Sequence, residues 1–389
     1  MERFSRTWVE INLDNLARNF SQIKAGLKLG VKVMGVVKAD AYGHGSIQCA
    51  KKLVECGADC LAVSNMLEAV PLRESGIQVP ILVLGYTPVS EVSRLAKYNI
   101  SQTLLNYDYA IDLAKQAENE NVTIECHIAL DTGMSRIGFD THNLDLLYTN
   151  IATAFYQPSL NITGIFTHFS VADELNENGK AFTIQQHRIF STVVSELSHR
   201  GMDFTYVDCC NSAATVFYPE YHHTMVRPGV ILYGLSPTGN ESDCMKLYPV
   251  MEMKTVVSMI KTVNPGDSIS YGCTYTASSP VKVATLPVGY ADGYPRSLSG
   301  KGMVYINDHL VPVLGKICMD QMMIDVTGVD CKEGDIVTLF GGYSPISLDY
   351  IAGMSGTISY EIMCGVSRRV ERVYISKGIE CEVLDYTLT

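Results

Sequence analysis

A lysine at the end of a predicted buried strand is the first residue of this sequence whose position suggests chemistry. Residues 31–45 read VKVMGVVKADAYGHG, and the apolar run 31–37, interrupted only by Lys32, is typical of a parallel strand covered on both faces. Lys38 follows directly, where reactive side chains gather in barrels and open α/β sheets. Burial there would lower the pKa of its amine, and a neutral amine can form a Schiff base. The alternative is a solvated lysine that only ends the strand.

Two more candidate residues follow predicted strands. Arg136 lies in residues 131–139, DTGMSRIGF, directly after the predicted strand 122–130, and a guanidinium in this position can hold a phenolate or carboxylate oxygen. His168 ends the predicted strand 162–168. A single histidine is more often a packed residue than a functional one, so its place at a strand end is what favours a role in a site.

Residues 209–214, CCNSAA, offer a candidate phosphate site. Asn211 and Ser212 bring short polar side chains to the start of a predicted helix, where hydroxyl and backbone N–H groups can bind an anion. Gly229 and Val230, in MVRPGVILYG, can present further backbone N–H groups to the same anion. Without these neighbours, Ser212 would be an ordinary helix N-cap.

Strands and helices alternate along residues 1–240, from a predicted strand at 7–13 to one at 224–226. About eight strand–helix units fit a closed (β/α)8 barrel of the TIM type, which takes roughly 250 residues. An open doubly wound sheet is the alternative, but no GxGxxG pattern follows the first strand. We therefore predict an α/β fold whose first domain, residues 1–240, is a barrel, and Asp14 is the expected N-cap of its first helix.

Residues 241–389 have a different pattern. Residues 236–242, SPTGNES, are typical of a linker, and short predicted strands separated by turns come after them. The longest of these strands is expected at residues 253–263, and one helix at residues 348–354. We predict a mainly β second domain over residues 241–389.

The composition excludes several classes of protein. Of 389 residues, 47% are hydrophobic and 18% charged, as expected of folded domains with sizeable cores. The net charge of −11 argues against a nucleic-acid partner, and no apolar run reaches the ~18 residues that span a membrane. The 12 cysteines form no CxxC pair, so we expect buried thiols, no metal site and a cytoplasmic location. A piece of a membrane-anchored protein is the alternative.

The segment around Lys38, VVKADAYGHG, resembles the cofactor-lysine motif of the alanine racemase family, in which that lysine carries pyridoxal phosphate (PLP). The segments DTGMSRIGF, MVRPGVILYG, VGYADGYPR and KICMDQ resemble other signatures of the family and occur in the same order. The resemblance extends from the first predicted strand to near the C-terminus. It implies a PLP-dependent racemase of small amino acids, with a barrel, a β domain and a homodimeric active site.

The resemblance also implies roles for individual residues. Lys38 and Tyr271, the tyrosine of SYGCTY, are the implied catalytic bases on opposite faces of the substrate α-carbon, and Tyr271 is implied to act in the partner subunit's site. Arg227 is implied to contact the pyridine nitrogen, and Arg136 the phenolic oxygen and the substrate carboxylate. The remaining implied contacts are Tyr42, His168, Asn211, Ser212, Gly229, Val230 and Tyr360 with the cofactor, and Tyr290 and Met319 with the substrate.

One position departs from the family pattern. The family commonly has a carboxylated lysine seven residues before the arginine that corresponds to Arg136, and this sequence has Ala129 there. We expect a bound anion such as chloride to support Arg136 instead.

The resemblance predicts a family member that interconverts L- and D-alanine and supplies D-alanine for cell-wall peptidoglycan. Tyr360 matches a tyrosine that narrows the substrate pocket in the family, which favours alanine over serine. A serine or broad-specificity racemase is the first alternative. A barrel-type PLP decarboxylase would need a carboxylate at the pyridine nitrogen, and a PLP-carrier protein would be shorter and lack the β domain.

Overall fold

The computed structural model describes residues 6–240 and 245–387, which form a parallel barrel and a mainly antiparallel sheet. The first elements are strand β1 (Thr7–Asn12) and helix α1 (Leu13–Ala25). The strands that follow are β2 (Lys32–Val36), β3 (Cys60–Val63), β4 (Ile81–Val83), β5 (Ser101–Leu104), β6 (Ile124–Asp131), β7 (Phe139–Asp140), β8 (Leu160–Phe166), β9 (Tyr206–Asp208) and β10 (Met225–Val226). The helices among them are α2 (Lys38–Tyr42), α3 (Ser46–Glu55), α4 (Met66–Glu74), α5 (Val92–Lys97), α6 (Tyr107–Asn119), α7 (Leu144–Phe155), α8 (Glu177–His199) and α9 (Ser212–Phe217).

Eight of these strands form a parallel barrel in the order β2-β3-β4-β5-β6-β8-β9-β10, and β10 pairs with β2. Between β9 and β10 the contact is made by single hydrogen bonds, such as the one from the Thr224 N–H to the Val207 carbonyl at 3.1 Å. The short strand β7 pairs with β6 outside this order. The predicted barrel is confirmed, and its strands are buried as their apolar sequences require.

An asparagine caps most of the long barrel helices. Its side chain accepts a hydrogen bond from the backbone N–H three residues ahead, which satisfies a donor that the first helical turn leaves without a partner. These asparagines are Asn12, Asn65, Asn106, Asn143 and Asn176. The prediction that Asp14 caps α1 was wrong, because Asn12 takes the cap position and Asp14 lies in the first turn.

The second domain is built mainly from short strands. They are β11 (Met251–Val256), β12 (Met259–Val263), β13 (Ser268–Ile269), β14 (Tyr275–Thr276), β15 (Val281–Leu286), β16 (Met303–Ile306), β17 (His309–Leu314), β18 (Met322–Asp325), β19 (Ile336–Gly341), β20 (Glu371–Ser376) and β21 (Ile379–Leu384), with helices α10 (Leu348–Ser355) and α11 (Ser359–Cys364). Ten strands form one sheet in the order β12-β15-β18-β17-β16-β19-β11-β1-β20-β21. Of the linker expected at residues 236–242, residues 241 and 242 lie outside the described residues. No helix in the described ranges is long and apolar enough to cross a membrane.

The prediction of one strand at residues 253–263 was wrong, because the chain changes partners within it. β11 pairs with β19, whereas β12 pairs with β15. The change occurs at Val257 and Ser258, whose N–H groups donate to the carbonyls of Asp335 and Thr285, each at 2.9 Å. The helix predicted at residues 348–354 is confirmed as α10, whereas α11, β20 and β21 were not predicted.

The prediction of residues 7–13 as the first barrel strand was also wrong. β1 lies in the second domain's sheet, antiparallel to β11 and parallel to β20, with Val9 opposite both Met253 and Arg372. An apolar alternation shows that a strand forms but does not show which sheet receives it. The barrel therefore begins with β2, and β1 belongs to the second sheet.

Two buried residues of β20 connect the second domain to the barrel loop that follows Lys38. The Arg372 guanidinium donates to the Gly43 carbonyl at 3.2 Å and to three carbonyls within residues 366–370. The Tyr374 hydroxyl donates to the His44 carbonyl at 3.1 Å. Because buried carbonyls need donors, these bonds fix the loop against the sheet.

Candidate active site

The carboxyl ends of the barrel strands surround a cavity of about 490 Å³. Lys38, two residues beyond the end of β2, lies in its wall. The other sequence-predicted cofactor contacts also line it, namely Tyr42, Arg136, His168, Asn211, Ser212, Arg227, Gly229, Val230 and Tyr360. The predicted residues Tyr271, Tyr290 and Met319 are not among the described residues that line it. The structure therefore brings the barrel's part of the predicted site together and leaves the second domain's part elsewhere.

Lys38 begins a strained left-handed turn. The residues at 39–42 are not glycines, yet their φ angles lie between 51° and 55°. Such a conformation costs roughly 1–2 kcal/mol per residue, so neighbouring groups must hold it. The Asp40 carboxylate accepts hydrogen bonds from the Ser46 N–H at 2.8 Å and from the Tyr386 hydroxyl. The turn thus fixes the backbone that carries Lys38.

The surroundings of Lys38 favour its neutral amine. Burial has the largest effect on the pKa of this amine and lowers it. The positive charges of Arg136 and Arg227 lower it further, and the Glu68 carboxylate opposes them. Glu68 is held in place by the N–H of Ala39, which donates to it at 2.8 Å. A neutral amine is the form that attacks a carbonyl carbon or accepts a proton.

The charge of Arg227 is balanced by a residue that the sequence analysis missed. Asp208, the last residue of β9, forms an ion pair with the Arg227 guanidinium, and both side chains are buried. Arg227 also donates to the Thr167 carbonyl at 2.8 Å. Burial, with a further effect from Arg136, lowers the pKa of Arg227 to about 9, so it stays protonated at neutral pH. The available signal was an acidic residue at the end of an apolar strand, directly before CCNSAA.

His168 is a neutral imidazole in this charged environment. Burial, followed by the positive charges of Arg227, Arg136 and Lys38, holds its pKa well below the usual range. The Arg227 Nη2 atom lies 3.5 Å from His168 Nδ1. Because a guanidinium can only donate, Nδ1 is the accepting nitrogen and the ring proton is on Nε2.

A group of polar donors gathers around Gly229. The Gly229 N–H donates to the Ser212 hydroxyl at 2.8 Å. A Cβ at position 229 would lie 2.5 Å from the Tyr42 hydroxyl, so glycine keeps this space open. Burial raises the pKa of Tyr42 and of Tyr360, whose rings are 6.0 Å apart, and so keeps both hydroxyls protonated. Hydroxyl and N–H donors in such a cradle suit a phosphate group.

Asn211, rather than Ser212, caps α9. Its side chain accepts from the Ala214 N–H at 3.0 Å, which leaves the Ser212 hydroxyl at the cavity wall. The residues present therefore fit the PLP that the resemblance implies. They provide a buried lysine whose amine has a lowered pKa, a cradle of donors that a Cβ at Gly229 would fill, and a buried arginine that remains charged.

The predicted residues of the second domain form a separate, exposed group. Tyr271 and Met319 line a shallow cavity of about 380 Å³ together with residues 270, 318, 320 and 321. Tyr271 is 71% exposed, Met319 53% and Tyr290 40%. The loop before Tyr271 is anchored by the Ser270 hydroxyl, which donates to the Lys316 carbonyl at 2.5 Å. In this chain, Tyr271 does not meet Lys38 in the barrel cavity.

Arg136 lies in an exposed part of the cavity wall. It shares a small cavity of about 20 Å³ with the buried residue Ala129. Across residues 6–240 and 245–387, no salt bridge joins a carboxylate to Arg136. The Arg136 guanidinium therefore has free space on one side, and no carboxylate among the described residues balances its positive charge.

Two family models cover most of the chain. The model of the alanine racemase N-terminal domain matches residues 11–237, and that of the alanine racemase C-terminal domain matches residues 250–374. The chain is also 45% identical to alanine racemase 1 of Clostridium acetobutylicum over 388 residues, which cover 97% of this chain and 98% of that protein.

Solved structures are similar over both domains. The alanine racemase of Clostridium difficile 630 has a TM-score of 0.94 and 37% identity, and the match covers 99% of this chain and 100% of that chain. The alanine racemase of Bartonella henselae, solved with covalently bound pyridoxal phosphate, has a TM-score of 0.85 and 27% identity, with 95% of this chain and 100% of that chain covered.

The lowered pKa of Lys38 predicts its reactivity in protein prepared without PLP. An acylating reagent attacks only neutral amines, so Lys38 should be modified at lower pH than exposed lysines are. Peptide mass spectrometry across a pH series gives the midpoint of the rate. Arg136→Gln removes a nearby positive charge, so it should move this midpoint upward. A midpoint equal to that of exposed lysines would contradict a desolvated amine.

Proposed function

We infer the activity from one premise: the chain belongs to the alanine racemase family. It is a PLP-dependent racemase that interconverts L- and D-alanine. The observation that carries this conclusion is the single cavity in which Lys38 meets the other implied cofactor contacts of the barrel. We also propose a cytoplasmic location and a supply of D-alanine to cell-wall peptidoglycan.

PLP, when bound, withdraws electrons and so acidifies the α-proton of an attached amino acid. Lys38 would hold it covalently, the donors around Gly229 and Ser212 would hold its phosphate, and Arg227 would contact its pyridine nitrogen. Arginine does not give up its proton, so it disfavours a protonated pyridine and keeps electron withdrawal modest. Rapid return of the proton to the α-carbon is then favoured over side reactions. Asp208 supports this role because it holds the Arg227 guanidinium by a buried ion pair.

Racemisation removes a proton from one face of the α-carbon and returns a proton to the other. Lys38 serves one face, because burial and nearby cations lower the pKa of its amine and so favour the neutral form that can accept a proton. We propose that Tyr271 of the partner subunit serves the opposite face. Its 71% exposure in the single chain supports an action outside this chain's own cavity.

We propose that the active protein is a homodimer. Tyr271, Tyr290 and Met319 are exposed although all three are large and largely apolar. A symmetric pair would cover them and would give each barrel cavity the second base from the other copy. Arg136, exposed in the cavity wall, would hold the substrate carboxylate near this junction.

Alanine is the substrate that the cavity supports best. Tyr360 lines it, as expected of a pocket narrowed for a small side chain. The decarboxylase alternative is disfavoured because Arg227, and not a carboxylate, is the residue implied to contact the pyridine nitrogen, and Asp208 pairs with Arg227. The extensive second domain disfavours a PLP carrier.

The anion expected beside Arg136 stays a prediction. The small cavity between Arg136 and Ala129 supports it, because a cation with free space on one side attracts a counter-ion. Crystals grown with bromide in place of chloride should show an anomalous-scattering peak there. A carboxylated lysine in contact with Arg136 would contradict this arrangement.

Chiral chromatography of separate incubations with L-alanine and L-serine tests the activity. With PLP present, D-alanine should form faster than D-serine, because Tyr360 restricts the pocket. Lys38→Ala should abolish D-alanine formation and serves as the control for contaminating racemase. Faster D-serine formation would assign the protein to serine substrates, and absence of both products from PLP-loaded protein would refute racemisation.

Hybrid dimers test where Tyr271 acts. Lys38→Ala and Tyr271→Phe each remove one base; Lys38→Ala alone should be inactive, and Tyr271→Phe alone should lose about 10²–10⁴-fold in rate. Two affinity tags isolate the dimer with one copy of each variant. If Tyr271 acts in the partner's site, this hybrid has one complete site and about half of wild-type activity. A hybrid as inactive as its parents would place both bases in the same chain. Doubly tagged wild-type dimers control for the tags.

A further inference from the structure

A second cluster of ligating side chains lies outside the barrel cavity, next to the strand end that carries Asp208. Cys209 follows β9, His187 lies on α8, and His223 lies in the loop before β10. The Nε2 atoms of the two histidines are 3.2 Å apart, and the sulfur and the two ligating nitrogens all lie within 4.8 Å of one another. None of these residues lines the cavity described above.

The spacing of the nitrogens matches that of a zinc site as well as that of a hydrogen bond. His187 Nε2 faces both His223 Nε2 and the Ser191 hydroxyl, which lies at 3.1 Å. In tetrahedral zinc sites, Zn–N bonds of about 2.0–2.1 Å place two ligating nitrogens roughly 3.3 Å apart. The observed 3.2 Å matches this separation. A sulfur and two imidazole nitrogens are the donors that zinc and similar borderline-soft ions prefer.

Metal binding by this cluster would release the Cys209 thiol proton. A divalent cation at bonding distance would displace that proton to solvent and form a metal–thiolate bond.

The surrounding structure holds the ligands in place. The His187 ring stacks on Tyr221 with centroids 3.5 Å apart and planes at 9°. The Cys209 thiol donates a hydrogen bond to the Tyr221 carbonyl at 3.2 Å, so Tyr221 contacts two of the three candidate ligands. His223 has a φ angle of 46°, in the left-handed region that few non-glycine residues adopt.

We propose that His187, Cys209 and His223 bind one divalent transition-metal ion of the zinc type, with the Ser191 hydroxyl or a water as the fourth ligand. The ion joins α8, the end of β9 and the loop before β10. Cys209 directly follows Asp208 and is two residues before Asn211, so the ion stabilises the strand end that supplies the Arg227 partner and the phosphate cradle. Its role is structural, because the three ligands stand outside the cavity wall.

Metal titration of the full-length, PLP-loaded protein tests this site. After removal of metals with a chelator, the protein should take up one Zn²⁺ per chain by elemental analysis and unfold at higher temperature with Zn²⁺ than without it. Co²⁺ in its place should give sulfur-to-cobalt charge-transfer absorption. PLP absorbance checks that the cofactor is retained and that the ion is not bound through it.

Variants with matched neighbours identify the ligands. His187→Gln, His223→Gln and Cys209→Ser should each weaken Zn²⁺ binding by more than about tenfold and remove the thermal shift. His222→Gln and Cys210→Ser change adjacent buried residues outside the ligand set. These two variants should leave Zn²⁺ binding and the thermal shift unchanged. Absence of Zn²⁺ uptake, a Co²⁺ spectrum without a sulfur band, or equal loss in the matched controls would overturn the proposal. The wild-type Co²⁺ spectrum decides the matter even if a variant fails to fold.

Discussion

Burial of positive charge in one cavity is the constraint on which the rest of the site depends. Lys38, Arg136 and Arg227 all face this cavity, and like charges with little water between them repel strongly. The structure relieves the repulsion in a different way at each residue. Lys38 is shifted toward its neutral form, Arg227 is paired with Asp208, and Arg136 stays exposed to solvent. Burial and, after it, the same positive charges also keep His168 in its neutral form.

The position of Lys38 depends equally on backbone strain and on the second domain. Four consecutive residues after Lys38 adopt the left-handed conformation, which an isolated loop would abandon. Arg372 and Tyr374 supply hydrogen bonds to the carbonyls of Gly43 and His44, just beyond this turn. Both donors lie on β20, which pairs with β1. Strands β1 and β20, which lie near the two ends of the described chain, thus support the barrel loop after Lys38, although β20 is distant from this loop in sequence.

Local patterns in the sequence predicted the barrel, the mainly β second domain and the barrel's part of the site, because strand ends and cofactor motifs are local features. The sheet that receives β1 was not predictable, since its partners β11 and β20 are distant in sequence. Asp208 was missed because its importance comes from Arg227, which reaches it only in the folded barrel. The left-handed conformation of residues 39–42 was also not predicted. Alanine and tyrosine do not favour a left-handed turn, and this turn is held by segments that are distant in sequence. His187 and His223 likewise approach Cys209 only through the fold.

The large sheet explains why one domain can serve two sites. Through Arg372 and Tyr374 it fixes the loop of its own chain's Lys38. The loop that presents Tyr271 is bonded to the segment after β17, a strand of the same sheet. In the proposed dimer, each sheet would therefore hold the lysine of one site and the tyrosine of the other in a single rigid element. Precise placement of two bases on opposite faces of one carbon requires such rigidity, because small displacements of catalytic groups cost large factors in rate. A second base on a flexible segment would be placed less precisely. The large sheet of the β domain is therefore explained by the need to hold this base rigidly.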